Sequence, residues 1–295
     1  MNKQCPGIGS KDRGKAEACK GCPNANACAS SKEDIDILVI KRNLKSLKLK
    51  VAIMSGKGGV GKSTITYNLA YSLAKNNLRV VLVDFDLTGP SIPRLSNTFN
   101  ECIQEKENRF DPIKVPNVNN LYVISSKHLT VLEYDEGIGN SKHKNKYIKK
   151  ILKNCNFNDF DIMIIDTPPN ITDEHLALVH YIGIDYSILV TTPSKLTITD
   201  LNRTLSFCKK ANIEIYGVIE NFKSFECPEC KTLNYLKKSE RGKIFVKENE
   251  IKYLGEIPHI CEIARNSDQG EPTKIKQIEQ ISKIIIGDFF NFKKF

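Results

Sequence analysis

No stretch of this 295-residue chain nears the ~18 consecutive apolar residues that a membrane-spanning helix needs, and Met1-Asn2-Lys3-Gln4-Cys5 opens no apolar leader. The expectation is a soluble, cytoplasmic chain without membrane contact. Acidic residues are in short supply: 34 Asp and Glu stand against 44 Lys and Arg, a formal charge of +10. Such an excess can favour phosphate-rich partners. The lysines are spread along the chain, however, and no RNA- or DNA-reading motif accompanies them, so nucleic acid is not expected. Their densest cluster, Lys142, Lys144, Lys146, Lys149, Lys150 and Lys153, reads as a solvated helix face, with an acidic protein partner as the next option. The Asn-Lys-x-Asp run is missing too, which excludes a common guanine-reading loop.

What is present is organised around Ser55-Gly56-Lys57-Gly58-Gly59-Val60-Gly61-Lys62-Ser63-Thr64. An apolar strand, Val51 to Met54, precedes it, and the spacing of Ile65, Leu69 and Leu73 predicts a helix after it. The glycines let the backbone wrap tightly enough for successive N–H groups to face an anion, and the helix N-terminus adds partial positive charge. Lys62 supplies a cation for the β- and γ-phosphates, and the Ser63 hydroxyl a ligand for Mg²⁺. Two further apolar strands end on carboxylates. Arg79 to Val83 leads into Asp84 and Asp86, and Asp161 to Ile165 into Asp166-Thr167-Pro168-Pro169, where Asp166 is placed to hold Mg²⁺ through water.

Strands are also expected at Leu121 to Ser125, Tyr186 to Thr192, Glu214 to Glu220 and Ile251 to Ile257. Helices are expected over Lys146 to Lys153, after a Thr197/Asp200 capping box, and along Ile275, Ile278, Ile281 and Ile285. The fold class is α/β, a doubly wound, mostly parallel sheet. Residues 1–30 form a cysteine-rich lobe, 31–48 a helical connector with an apolar face of Ile35, Leu38, Val39 and Leu44, and 49–295 the nucleotide-binding body. His175 reads as a surface residue at a helix start.

Ten cysteines in a reducing compartment argue for metal rather than disulfides. Cys5, Cys19, Cys22 and Cys28 lie in a segment with almost no large apolar side chains, which needs a metal to fold. Their spacing leaves zinc and an iron-sulfur cluster both open. Cys227-Pro228-Glu229-Cys230 is half a four-thiolate site, and a two-fold dimer could complete it. Cys208 falls on a core-facing helix position; Cys102, Cys155 and Cys261 read as structural.

Lys57, directly after the first glycine, marks the loop further. The run from Gly56 to Thr64 resembles the deviant Walker A motif of the MinD/Mrp/ParA superfamily of dimeric ATPases. The C-x13-C-x2-C-x5-C arrangement ahead of it looks like that of the cytosolic iron-sulfur scaffold ATPases, the larger Mrp-type branch. This resemblance implies that Lys57 reaches the partner's nucleotide, Asp86 orients the attacking water, Asp84 supports Mg²⁺ and Asn221 reads adenine. It implies a stable 4Fe-4S cluster on Cys5, Cys19, Cys22 and Cys28, and a labile one on Cys227 and Cys230 shared across a homodimer or with a smaller related subunit in a heterotetramer. Slow, dimer-dependent ATP hydrolysis would serve cluster transfer to cytosolic and nuclear apo iron-sulfur proteins, through transfer factors. A ParA-like positioning ATPase and a zinc-stabilised ATPase module are the other classes to weigh. Three departures stand out: there is no tryptophan for the family's Trp-Arg-Gly-Pro loop, with Glu136 to Ser141 in its place. Asn170 replaces a glycine, and Phe222-Lys223-Ser224-Phe225 replaces Met-Ser-Gly-Phe.

Overall fold

The computed structural model describes residues 15–17, 20, 35–107, 109–129, 141–227, 229–230, 232–235 and 239–290. Cys5, Cys19, Cys22 and Cys28, and the Glu136 to Asn140 stretch, lie outside them. In chain order the elements are α1 (Ile35–Asn43), β1 (Leu49–Met54), α2 (Lys62–Lys75), β2 (Val80–Asp84), α3 (Ile92–Leu95), β3 (Ile113–Lys114) and β4 (Leu121–Ser125). There follow α4 (Ser141–Asn154), β5 (Ile162–Asp166), α5 (Asp173–Ile182), β6 (Tyr186–Thr191) and α6 (Lys195–Ala211). The chain continues through β7 (Glu214–Glu226), β8 (Leu233–Tyr235), α7 (Arg241–Glu248), β9 (Tyr253–His259), α8 (Cys261–Gln269) and α9 (Lys276–Phe289).

The strands form one nine-stranded sheet, ordered β3-β4-β2-β5-β1-β6-β7-β8, with β9 also paired to β7. Only the short β3 and β8 run antiparallel to their neighbours. The central strands are continuous apolar runs because both faces are covered. Side chains alternate between two cores with period 2. Val80 and Leu82, Leu49, Val51 and Ile53, and Ile162 and Ile164 face the core beneath α2 and α9. Val81 and Val83, Ala52 and Met54, and Met163 and Ile165 face the core that includes α1, α4, α5 and α6. This α/β/α sandwich agrees with the expected doubly wound class. Register brings Asp84 directly opposite Asp166, and Ile53 opposite Asp166 on the other side. Three adjacent strand ends therefore deliver the glycine loop and both carboxylates to one crevice.

Several local expectations change. Helix α1 buries Ile40, with Leu44 and Leu47 beyond it, while Leu38 is exposed, so its apolar stripe is narrower than the composition suggests. Helix α6 begins at Lys195, and Thr197, inside its first turn, bonds back to the Thr192 carbonyl at 2.9 Å rather than capping. The basic face of α4 is not simply solvated. Lys149 and Lys153 both reach Asp36 of α1, at 2.8 and 2.6 Å, and Lys144 reaches Glu174 of α5 at 2.7 Å. Asn43 donates to the Lys153 carbonyl at 2.6 Å, near the end of α4. Spacing along one helix cannot reveal partners that arrive from two others. Cys155 and Cys208 are buried, whereas Cys102 and Cys261 are exposed and take no part in the core.

Candidate nucleotide site and cysteine hairpin

Each glycine-loop residue takes its place through the backbone. Gly59 and Gly61 have φ of 77° and 82°, a region that side chains other than glycine enter at a cost. A Cβ on Gly61 would lie 2.3 Å from Asn221 Nδ2, and one on Gly56 would lie 2.4 Å from the Asp200 carbonyl carbon in α6. The loop is thus pressed between β7 and α6. We expect Gly56→Ala to cost about 1–3 kcal/mol in urea unfolding, because the obstructing atoms are backbone and cannot swing aside. A variant as stable as the wild type would show that α6 yields.

Lys62 and Asp166 meet at the centre. Their ion pair measures 2.6 Å, with the Lys62 side chain 6 % exposed and Asp166 fully buried. The Ser63 hydroxyl donates to Asp166 Oδ2 at 2.7 Å, and Thr66 Oγ1 lies 3.0 Å from Oδ1. Thr64 is half-buried on the next position, and Val60 is buried. Asp84, also fully buried, accepts from the amides of Asp86 and Ile92 at 3.1 and 3.2 Å. Burial first, and the nearby Asp166 second, push its carboxyl well above the usual carboxylate range. Asp86 is half-buried, and its Oδ1 accepts from Thr88 and from the Gly89 amide at 3.0 and 3.1 Å, which fixes its carboxylate at the crevice mouth. Lys57 and Gly58 are exposed. Asn170 adopts the left-handed φ of 62° that its replacement of a glycine requires, and its amide donates to the Ser55 carbonyl at 3.2 Å.

Hard oxygen donors with one cation between two carboxylates suit Mg²⁺ and a polyphosphate: Ser63 and Asp166 already share a contact that a metal could enter, and no atom lies within 4 Å of where a Cβ on Gly59 would be. Asn221 sits beside this loop, its Nδ2 donating to the Val60 carbonyl at 2.9 Å.

Strand β7 runs six residues past the expected end at Glu220 and turns back into β8, so Cys227 and Cys230 lie at the tip of a hairpin. The Cys227 amide donates to the Thr232 carbonyl at 3.0 Å, and Cys230 Sγ lies 3.2 Å from Thr232 Oγ1. Hydrogen bonds from the Thr232 hydroxyl, then its backbone, then Cys227, bring the exposed Cys230 thiol down to about 7. Cys227 is half-buried. Phe225, Leu233 and Tyr235 on the same hairpin are exposed.

Sequence reasoning missed three residues. His175 is at a helix start but fully buried, pairing through Nδ1 with Thr172 in a capping box, its Nε2 without a partner among the described residues. Its position three residues after Thr172 was the available signal. Lys223 and Glu220, buried beside Asn221, gave no pattern at all.

With this geometry in hand, residues 46–290 match the ParA family model described as NUBPL iron-transfer P-loop NTPase. The chain belongs to this family. As an iron-transfer P-loop NTPase it is a nucleotide hydrolase by class. It is 36% identical over 280 residues to a cytosolic Fe-S cluster assembly factor NUBP1 homolog of Brugia malayi, covering 92% of this chain and 90% of that one. A nucleotide-binding protein of Archaeoglobus fulgidus in complex with ADP is 26% identical with a TM-score of 0.69, over 88% of this chain and 97% of that one. The MinD cell division protein of Aquifex aeolicus shares the fold at 21% identity and a TM-score of 0.60, over 81% of this NTPase and 97% of that chain. Among the described residues no helix is long and apolar enough to cross a membrane.

Proposed function

We propose that this iron-transfer NTPase is an ATP-dependent scaffold in the cytosol, assembling 4Fe-4S clusters and passing them to cytosolic and nuclear apo iron-sulfur proteins. The observation that carries the reading is that one strand, β7, supplies Asn221 to the phosphate loop and, six residues on, Cys227 to an exposed two-cysteine hairpin tip. Two thiolates are half a tetrahedral set, and a second copy brought up by a two-fold axis supplies the other half. The exposed Phe225, Leu233 and Tyr235 around the tip suit such an interface, whether with another copy or with a smaller related subunit. Exposed Lys57 is free to reach the partner's nucleotide.

Within the pocket, Lys62 would turn from Asp166 toward the β- and γ-phosphates, Ser63, Asp84 and Asp166 would hold Mg²⁺ directly or through water, and Asp86 would orient the attacking water. Mg²⁺ would neutralise phosphate charge. Asn221 would offer Oδ1 to the adenine edge while its Nδ2 stays on Val60. Hydrolysis that needs Lys57 from the partner is slow in the monomer and tied to opening and closing of the shared site. A stable cluster on Cys5, Cys19, Cys22 and Cys28 completes the reading.

Anaerobic reconstitution with iron and sulfide tests it. Cys227→Ala should lose the labile iron-sulfur absorbance and the matching iron, while the amino-terminal signal stays. Unchanged iron in that variant removes the scaffold function, and near-stoichiometric zinc without iron replaces it with a zinc-stabilised ATPase.

A further inference from the structure

The hairpin tip and the nucleotide pocket are separated by a buried polar knot that no motif announces. Lys223 is 2 % exposed and Glu220 fully buried, and their ion pair measures 2.9 Å. The same ammonium donates to the Ser239 carbonyl. Tyr253 of β9 donates its hydroxyl to Glu220 Oε2 at 3.0 Å. On the far side α7 begins so close that a Cβ on Gly242 would lie 2.8 Å from the Glu220 carboxyl carbon, which sets the positive end of that helix against the carboxylate.

The placement matters because of what lies between the two groups that Lys223 joins. Glu220 is on β7 before the hairpin, Ser239 is on the return after β8, and residues 224–238 between them carry Cys227 and Cys230. The ammonium therefore closes the hairpin's base. Residue by residue, the chain on the other side leads straight to the phosphate loop. Asn221 holds the Val60 carbonyl. Phe222 takes a left-handed φ of 56°, breaks the β7–β9 register, and puts its ring 3.4 Å from where a Gly61 Cβ would be. Lys223 follows at once. A buried ion pair costs more desolvation than a well-packed apolar pair, so it stabilises little for its burial but fixes one arrangement of the chain. A bulky aromatic held left-handed beside it is strain of the kind that marks a switching point.

We propose that Lys223 is a positioning residue for the Cys227 and Cys230 pair: its ammonium latches the base of the cysteine hairpin, and the turn at Phe222 links that latch to Asn221 at the nucleotide pocket. The inference rests on reading the two cysteines as the cluster-binding pair. Its consequence is that nucleotide occupancy changes how often the hairpin opens, and that the change passes through Lys223.

Hydrogen exchange on the full-length apoprotein, with and without Mg²⁺ and a non-hydrolysable ATP analogue, tests this. In the wild type, amides of the 224–235 hairpin should change exchange rate by about tenfold on adding the analogue. In Lys223→Met they should exchange at least about tenfold faster without nucleotide, the loss of a charged hydrogen bond, and no longer respond to it. Protection of the phosphate loop by the analogue should persist. Lys223→Arg, which keeps the cation, should restore the response; a merely space-filling role would give no such rescue. Lys223→Met leaves Glu220 buried without its cation, so the double variant Lys223→Met/Glu220→Gln, with both charges gone, supplies the reading if the single one does not fold. A hairpin that exchanges as in the wild type, or still answers to nucleotide, in either variant overturns the proposal. Because no iron is needed, the two failures are distinguishable: an unchanged iron content in Cys227→Ala removes the cluster that the latch would serve but not the hairpin's response to Lys223, and an unaltered hairpin in the Lys223 variants removes the latch alone.

Discussion

Lys62→Met should lower the stability of the nucleotide-free protein by about 3 kcal/mol and weaken nucleotide binding by at least ~100-fold. The two effects come from different partners of the same ammonium. Without nucleotide, Lys62 is the cation facing fully buried Asp166 at 2.6 Å, and its removal leaves a buried carboxylate without its cation. Breaking such a pair costs about 3–5 kcal/mol. The Ser63 and Thr66 hydroxyls remain within 2.7 and 3.0 Å of Asp166, which places the expected cost at the lower end. In the proposed nucleotide complex the same ammonium serves the phosphates, and each charge-assisted hydrogen bond lost is worth about 1.5–3 kcal/mol.

The double variant Lys62→Met/Asp166→Asn separates them. Removing both charges should recover most of the stability in urea unfolding and none of the nucleotide affinity by calorimetry, because Asp166→Asn repairs burial while taking away the proposed metal ligand. A single variant as stable as the wild type would mean that the Ser63 and Thr66 hydroxyls suffice to hold Asp166. A double variant that binds nucleotide would move the phosphate site away from Lys62.

The nucleotide half of the molecule was legible in the sequence because its chemistry is local. Four glycines, Lys62 and Ser63 lie in one unbroken run, and the two carboxylate positions announce themselves as the last residues of apolar strands. The sheet follows from the same strands, since runs such as Val80–Asp84 and Ile162–Asp166 are apolar on both faces and fit only a covered parallel sheet. What was not legible depends on long-range meetings. Lys144 and Glu174 are on different helices, and their pairing turns a charge run that reads as solvent-facing into a strut between α4 and α5. Lys223 looks like any loop lysine until β7 extends past Glu220 and buries it. His175 has the polarity of a surface residue, yet its ring closes a capping box against Phe207, 5.9 Å away in an edge-on contact. In each case the residue type argues for exposure, and a second element, invisible to periodicity, overrides it.

Buried neutral histidines give the second large effect, in pH. Burial lowers His128 from its ordinary 6.5 to about 4, opposed only by the contact with Thr98. Burial likewise lowers His175 to about 4, with the Lys62 charge adding to it and Glu174 opposing. In both cases the unfolded chain binds a proton at a pH where the fold refuses it. The stability they contribute is therefore complete above about pH 6.5 and is lost as pH falls toward 4. At pH 5 each histidine costs about 2 kcal/mol relative to pH 7, a span of about 1.5 pH units at about 1.4 kcal/mol each. Asp84 runs the other way. Its raised carboxyl takes a proton in the fold before it does in the unfolded chain, so falling pH returns stability there. The carboxyls held low by their partners, Asp36, Asp161, Glu174 and Asp288, weaken the fold only below about pH 4.5, where the unfolded chain begins to protonate them.

Between pH 7 and 5, then, the two histidines withdraw stability. The wild type should lose stability across that range, read from urea midpoints. His128→Gln/His175→Gln should remove most of that loss and flatten the slope, because both depressed imidazoles are gone. Glutamine at 175 keeps the third position of the capping box with Thr172, so the helix start is preserved and the change in slope reports the lost proton site. A double variant with the wild-type slope would show that the protons enter elsewhere.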